Sequence, residues 1–321
     1  MYRSLLVPLD GSSFAEQALP MAVEIAVRSG ATLHLVLVHN SIAVVPGPGE
    51  PVVLDPAVDD ASRRQEEEYL ASVSRPLTGQ GVRQVVTRLL DGPTAETIAT
   101  YARASVIDLV VLTTHGRGIL SRFWIGSVAD RLVRQLEQPI LLVRPQAARG
   151  APSPAMIRRV LVPLDGSPLA AAMIEPATSF GELLGAEFML YRAVVLPPPV
   201  WLPLPGVIIP PEDAGTPTKL ELEATRYLHQ VAQQLRLKGL TVETAVEVAP
   251  DPVAAIAAHA ERHGADVIAL ATHGYGGATR FLLGSVADKL LRTATVPLLV
   301  WRPGVGAEPG AVRSMEFAAV P

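Results

Sequence analysis

Cysteine is absent from this chain. That excludes disulfides, thiolate nucleophiles and cysteine-based zinc or iron–sulfur sites, and it suits a reducing compartment. Charge is sparse as well, at 18% of residues with a net charge of −4. Lysine and arginine form no run, so duplex nucleic acid is not an expected partner, because affinity for it is dominated by phosphate contacts. No apolar stretch reaches the roughly 18 residues of a membrane span. The most apolar loop, "VVLPPPVWLPLPGVIIPP", is interrupted by prolines throughout. The opening "MYRSLLVPLDGSS" enters a strand-like pattern at once, and its apolar part is shorter than a signal peptide needs. A cytoplasmic protein without membrane contact is the expectation.

What the sequence does contain, it contains twice. "THGRGILSRFWIGSVADRL" from Thr114 and "THGYGGATRFLLGSVADKL" from Thr272 align without a gap and agree at 12 of 19 positions. "RSLLVPLDGSS" at Arg3 answers "RRVLVPLDGSP" at Arg158, "DLVVLTTHG" answers "DVIALATHG", and "QPILLVRP" answers "VPLLVWRP". Asp10 and Asp165 lie 155 residues apart, and Gly116 and Gly274 lie 158 apart. The offset barely drifts, so each half is a complete domain. The spans expected are 1–146 and 156–303, with a Pro- and Ala-rich linker at 147–155 and a loose tail at 304–321.

Within each half, short apolar runs alternate with amphipathic ones. "SLLVPL" ends in Asp-Gly-Ser, where Ser12 or Ser13 can cap the helix "FAEQALPMAVEIAVRSG", which Pro20 bends or interrupts and Gly30 closes. "ATLHLVLV", "VRQVVTRLL", "DLVVLTT" and "PILLVR" read as the other strands. "SRRQEEEYLASVSRPL", "GPTAETIATYARAS" (with Pro93 in its first turn) and "GSVADRLVRQL" read as helices. This alternation implies α/β architecture: two tandem doubly wound domains, each a mainly parallel five-stranded sheet covered on both faces. Ligands in such sheets bind beyond the carboxyl ends of the strands, where strand order reverses. "PLDGS" and "THGxG" both fall there.

The physical parts describe a nucleotide site. Gly116 and Gly274 let a ligand approach the main chain. Gly126-Ser127 and Gly284-Ser285 precede helices, whose free N–H groups and dipole favour an anion. Asp10 and Asp165 supply acceptors for a ribose or a base. Taken singly, each feature is an ordinary turn or cap. Three together at strand ends, in both copies, favour a bound anion. Neither a G-x-x-x-x-G-K-[ST] motif nor a G-x-G-x-x-G after the first strand is present.

These residues resemble the universal stress protein family, whose nucleotide-binding members carry G-x2-G-x9-G-[ST]. The last three marks fall on Gly116, Gly126 and Ser127, and on Gly274, Gly284 and Ser285. The resemblance covers nearly the whole chain as two copies. It implies flavodoxin-like, adenine nucleotide alpha hydrolase-like domains that bind ATP, with any Mg²⁺ held mainly by the phosphates. Pro8, Leu9 and Asp10, and Pro163, Leu164 and Asp165, would meet the adenosine end. Val38 and Ala193 would line the adenine. His115-Gly116 and His273-Gly274 would bring main chain to the ribose and phosphates, and Gly126-Ser127-Val128 and Gly284-Ser285-Val286 would hold the phosphates. The motif's first glycine is replaced by Thr113 and Ala271. Ala271 adds one methyl and Thr113 a branched side chain, so the second site is the less hindered.

No metal-binding carboxylate cluster and no catalytic set stands out. His115 and His273 either touch phosphate or support the loop; Arg122 and Arg280 either reach a phosphate or pair with Asp130 and Asp288. The expected function is an ATP-binding stress-response regulator whose occupancy biases conformation or the choice of a protein partner not identified by sequence. A slow ATPase or phosphotransferase, and a scaffold with vestigial sites, are the alternatives. Loops are expected at Ser41–Asp60 and Leu196–Thr216, as lids or subunit contacts. The closing strands Pro139–Arg144 and Pro297–Arg302 are expected to pair, joining the two halves as an intramolecular pseudo-dimer or two chains as a homodimer.

Overall fold

A computed structural model describes residues 2–41, 43–44, 53–114, 125–144, 157–196, 218–272 and 284–303. The first half runs β1 (Ser4–Leu9), α1 (Ser13–Glu16), α2 (Leu19–Ser29), β2 (Thr32–His39), β3 (Ala43–Val44), β4 (Val53–Leu54), α3 (Pro56–Gly79), β5 (Gln84–Asp91), α4 (Thr94–Ala104), β6 (Leu109–Thr113), α5 (Ser127–Gln135) and β7 (Ile140–Val143). The second runs β8 (Arg159–Pro163), α6 (Pro168–Ala172), α7 (Ile174–Leu184), β9 (Glu187–Val194), α8 (Lys219–Leu237), β10 (Val242–Val248), α9 (Pro252–Arg262), β11 (Val267–Ala271), α10 (Ser285–Thr293) and β12 (Leu298–Trp301).

Ten strands form one sheet in the order β10-β9-β8-β11-β12-β7-β6-β1-β2-β5. Each half contributes five parallel strands. The halves meet where β12 pairs antiparallel with β7, Leu299 opposite Leu141. The closing strands therefore join the halves within one chain. In each half strand order reverses between the first strand and the fourth, β1 with β6 and β8 with β11. That opens a crevice at their carboxyl ends.

Side chains alternate across the sheet. Leu5, Val7 and Leu9 face a core shared with α2, α3, α7 and α8, while Leu6 faces a core shared with α4, α5, α9 and α10. Both cores run through both halves. Burying a side chain such as Phe180 or Phe188, each at most 1% exposed, contributes about 1.5–3 kcal/mol. The same carboxylate lock starts the central strands of each half. Asp108 Oδ2 accepts from the Arg3 and Ser4 amides at 2.6 and 3.0 Å, and Asp266 Oδ2 from those of Arg158 and Arg159 at 2.8 and 3.0 Å.

One local expectation, the interruption at Pro20, is met, and two need correction. The helix expected after Ser12 is split: Ser12 caps α1 by accepting from the Ala15 amide at 3.2 Å, and Pro20 opens α2, where a missing N–H costs nothing. Pro93 is the N-cap of α4 rather than part of its first turn. Regular structure occurs within the expected Ser41–Asp60 loop. β3 and β4 pair antiparallel, and α3 begins at Pro56, after Asp55 accepts from the Ala57 amide. Strands of two residues carry no readable alternation, so the sequence could not announce them. In the second segment, Leu196 ends the described stretch, and 197–217 lie outside it.

Candidate functional site at the carboxyl edge of the second half

A cleft of ≈ 220 Å³ opens where β8 and β11 diverge. Pro163, Leu164 and Asp165 leave β8 on one side, and Gly284, Ser285 and Val286 begin α10 on the other. Ala193 of β9 and Ala271 of β11 complete the walls, with Tyr191, Ile256 and Leu290 behind them. Eight of the ten residues expected in the second site thus line one cavity. The other two, His273 and Gly274, lie outside the described residues, as do Arg122, Arg280, His115 and Gly116.

The Asp165 turn is built for exposure. Its Oδ1 accepts from the Ser167 amide at 2.8 Å, Gly166 takes the left-handed angle φ +87°, and Ser167 then caps α6 by accepting from the Ala170 amide at 3.1 Å. The second oxygen of this exposed carboxylate has no protein donor among the described residues. Across the cleft, α10 starts at Gly284 without a side-chain cap. The amides of Ser285, Val286 and Ala287 therefore have no partner within the helix, and its dipole turns a positive end to the cavity. Asp288, the acid in that first turn, is held by Arg292 Nε and Nη2, both at 3.1 Å. Asp130 is held likewise by Arg134 at 3.0 Å. A carboxylate acceptor facing uncapped amides suits a ligand with hydroxyl or amine donors at one end and an anion at the other. Among the described residues the walls carry a single carboxylate, Asp165, so a divalent cation fits there only as one carried by a ligand's own phosphates.

The first half repeats the scaffold with different filling. Pro8, Leu9 and Asp10 end β1, Val38 is near the end of β2, Thr113 ends β6, and Gly126, Ser127 and Val128 start α5, also without a side-chain cap. Asp10 Oδ1 accepts from Ser12 N at 2.9 Å and Ser12 Oγ at 2.6 Å. Val38 and Thr113 are each only 7% exposed; they stand where the second half has Ala193 and Ala271.

The sequence reading did not foresee the network behind the second cleft. Tyr191 Oη donates to Glu247 Oε2 at 3.2 Å, and Glu247 also binds His259 Nδ1 at 3.0 Å and Arg262 Nη2 at 2.7 and 2.9 Å. His259 stacks between Tyr191 and His263, with ring centroids 4.4 and 4.2 Å away. Burial pushes the His259 imidazole down from its ordinary value, against the Glu247 hydrogen bond. In register, Val36 and Leu90 stand at the places of Tyr191 and Glu247 in the first half. Comparing aligned positions of the two halves was the signal that could have found it.

Fold and edge geometry together define a duplicated flavodoxin-like α/β protein with its crevices at the strand-order reversals. The sequence profile of the universal stress protein family matches residues 1–144 and again 156–302; the chain belongs to that family, as a tandem member. It is similar to a universal stress protein of Methanocaldococcus jannaschii, 28% identical over 144 residues, covering 45% of this chain and 83% of that protein. It is also similar to one of Mycobacterium tuberculosis, 30% identical over 195 residues, covering 61% and 62%. The crystal structure of a universal stress protein from Archaeoglobus fulgidus superimposes with a TM-score of 0.69 at 19% identity, over 94% of this chain and 98% of that one. That likeness bears on the fold alone.

Proposed function

We propose that this chain binds ATP in the cleft of its second half and works as a stress-response regulator, occupancy biasing its conformation or its choice of protein partner, with little or no hydrolysis. The observation that carries this is the pairing of Asp165, with one carboxylate oxygen lacking a donor among the described residues, and the uncapped start of α10 across one cavity. Asp165 takes the adenosine end. The amides of Ser285, Val286 and Ala287 take the phosphates, which bring Mg²⁺ with them. The family's nucleotide motif at Gly274, Gly284 and Ser285 supports the same placement. Functional domains at 1–146 and 156–303, joined by 147–155, and a cytoplasmic setting go with this reading.

The two halves differ in what a ligand would meet. Ala193 and Ala271 leave room that Val38 and Thr113 occupy, so one nucleotide per chain is expected. Isothermal titration of the purified chain with ATP, with and without Mg²⁺, tests this. The expected stoichiometry is near one, and Asp165→Ala removes the heat. No heat, together with no nucleotide released on denaturing the purified protein, overturns the reading.

A further inference from the structure

His39 ends β2 and is 2% exposed. Its Nδ1 lies 2.7 Å from Glu66 Oε2 and its Nε2 lies 2.9 Å from Asp59 Oδ1, both on α3. Arg63, between them on the same helix, donates from Nε to Asp59 Oδ2 at 3.0 Å and from its terminal nitrogens to Asp91 of β5. An ionised carboxylate only accepts, and a neutral imidazole has one donor nitrogen and one acceptor. Both ring nitrogens facing carboxylates therefore require the doubly protonated ring. Two cations, His39 and Arg63, then face three carboxylates, Asp59, Glu66 and Asp91.

The part of α3 that this cluster holds has little else to hold it. The fully buried side chains of α3 are Leu70 and Leu77, both toward its C-terminal end, and none lies between Pro56 and Tyr69. The corresponding helix of the second half is anchored differently. α8 buries Ala224, Leu228, Val231, Ala232 and Leu235, and a reciprocal capping box fixes its start: Thr218 Oγ1 accepts from the Glu221 amide, and Glu221 from the Thr218 amide. In register, Val194 replaces His39. Counting back from the left-handed glycines that follow both helices, Gly81 and Gly239, Ala224 replaces Glu66.

We propose that His39, Asp59 and Glu66 form a proton-operated latch that ties the N-terminal half of α3 to the carboxyl edge of β2 in the first half only. Losing the ring proton turns one nitrogen into an acceptor aimed at a carboxylate at hydrogen-bonding distance. The ring is too buried for water to relieve that contact, and one cation is left against three carboxylates. The N-terminal half of α3 then comes away while Leu70 and Leu77 keep the rest docked. The direction of titration agrees: the Asp59 hydrogen bond, aided by Glu66 and opposed by burial and Arg63, raises the His39 imidazole above its ordinary value, and Asp59 is held down at about 2, chiefly by His39 and then by Arg63. The latch is therefore closed below neutrality and opens as pH rises through the raised value. It stands apart from the nucleotide reading.

The test is an NMR titration of the His39 ring in the full chain, with hydrogen exchange of α3 and α8 amides followed from pH 6 to 9 and corrected for intrinsic rates. The ring is expected to titrate above the ordinary histidine value of about 6.5. Protection of residues 60–69 is expected to fall by up to about tenfold per pH unit above that midpoint, the limit for one linked proton, with α8 unchanged. His39→Val, copying the second half, and His39→Gln, which keeps a neutral hydrogen-bonding side chain, should both leave residues 60–69 fast-exchanging and insensitive to pH, while Leu70 and Leu77 stay protected. Titration at or below the ordinary value, equal pH response of α3 and α8, or pH dependence that survives in both variants overturns the latch.

Discussion

A methyl group against a branched side chain separates the two candidate sites. Val38 and Thr113 are nearly sealed, whereas Ala193 and Ala271 line an open cleft. Val38→Ala combined with Thr113→Ala should raise the ATP stoichiometry from one toward two, read by isothermal titration; the reverse pair, Ala193→Val with Ala271→Thr, should abolish binding. The sequence showed these substitutions plainly, because both positions fall at aligned places in a visible repeat, 155 and 158 residues apart. It did not show how the buried histidines are partnered. His39 and His259 couple to pH with opposite signs. The raised value of His39 gives stability that is complete below about 6.5 and lost as pH rises through the native value. The lowered value of His259 does the reverse: as pH falls below about 6.5 the unfolded chain takes up a proton that the native ring resists. His259→Gln should therefore gain on wild type in urea-melt stability as pH is lowered through that window.

At the scale of elements, helix boundaries were legible where a cap or a left-handed glycine marks them. Ser12, Gly30 and Gly185 do so. Boundaries set by packing were not, and α3 begins earlier than its charged pattern suggests because Asp55 and the His39 contacts hold its first turns. Gly181 of α7 is a packing requirement that no local pattern reveals. A Cβ there would overlap Phe188 Cζ and stand 2.6 Å from its Cε1, and Phe188 is a buried ring, 1% exposed. Gly181→Ala should destabilise the chain by about 1–3 kcal/mol despite better helix propensity, measured as a lower urea midpoint at unchanged slope. Removing the α8 cap with Thr218→Ala should cost about 1 kcal/mol by the same measurement.

For the whole molecule, the joint between halves decides how the chain behaves. Beyond the β7–β12 pairing, Trp301 Nε1 donates to the Glu137 carbonyl at 2.9 Å. Arg144 Nη2 reaches the Leu291 carbonyl near the end of α10 at 2.6 Å, and Arg28 donates to the Leu184 carbonyl at 3.3 Å where α2 packs on α7. Three contacts between distant parts of the sequence tie both faces and the centre. Leu141→Ala and Leu299→Ala, two fully buried residues paired across the joint, should each cost about 2–5 kcal/mol. A double-mutant cycle should show coupling of about 0.5–3 kcal/mol, because they share one contact. A sum without coupling would mean that these two side chains do not support each other across the joint.

The sequence by itself determined the duplication, the order along the chain of the sheet's ten main strands and the helices between them, and the placing of "PLDGS" and the Gly-Ser helix starts beyond the ends of strands. These follow from periodicity, caps and repeated motifs, all carried by residues near one another in the chain. Only the tertiary structure decided that β7 pairs with β12 inside one chain, that a cleft stands open at Asp165 and α10, and that His39 finds Asp59 and Glu66. Each of those depends on which side chains meet across distances that local pattern does not encode, and on how much volume remains once both cores are packed.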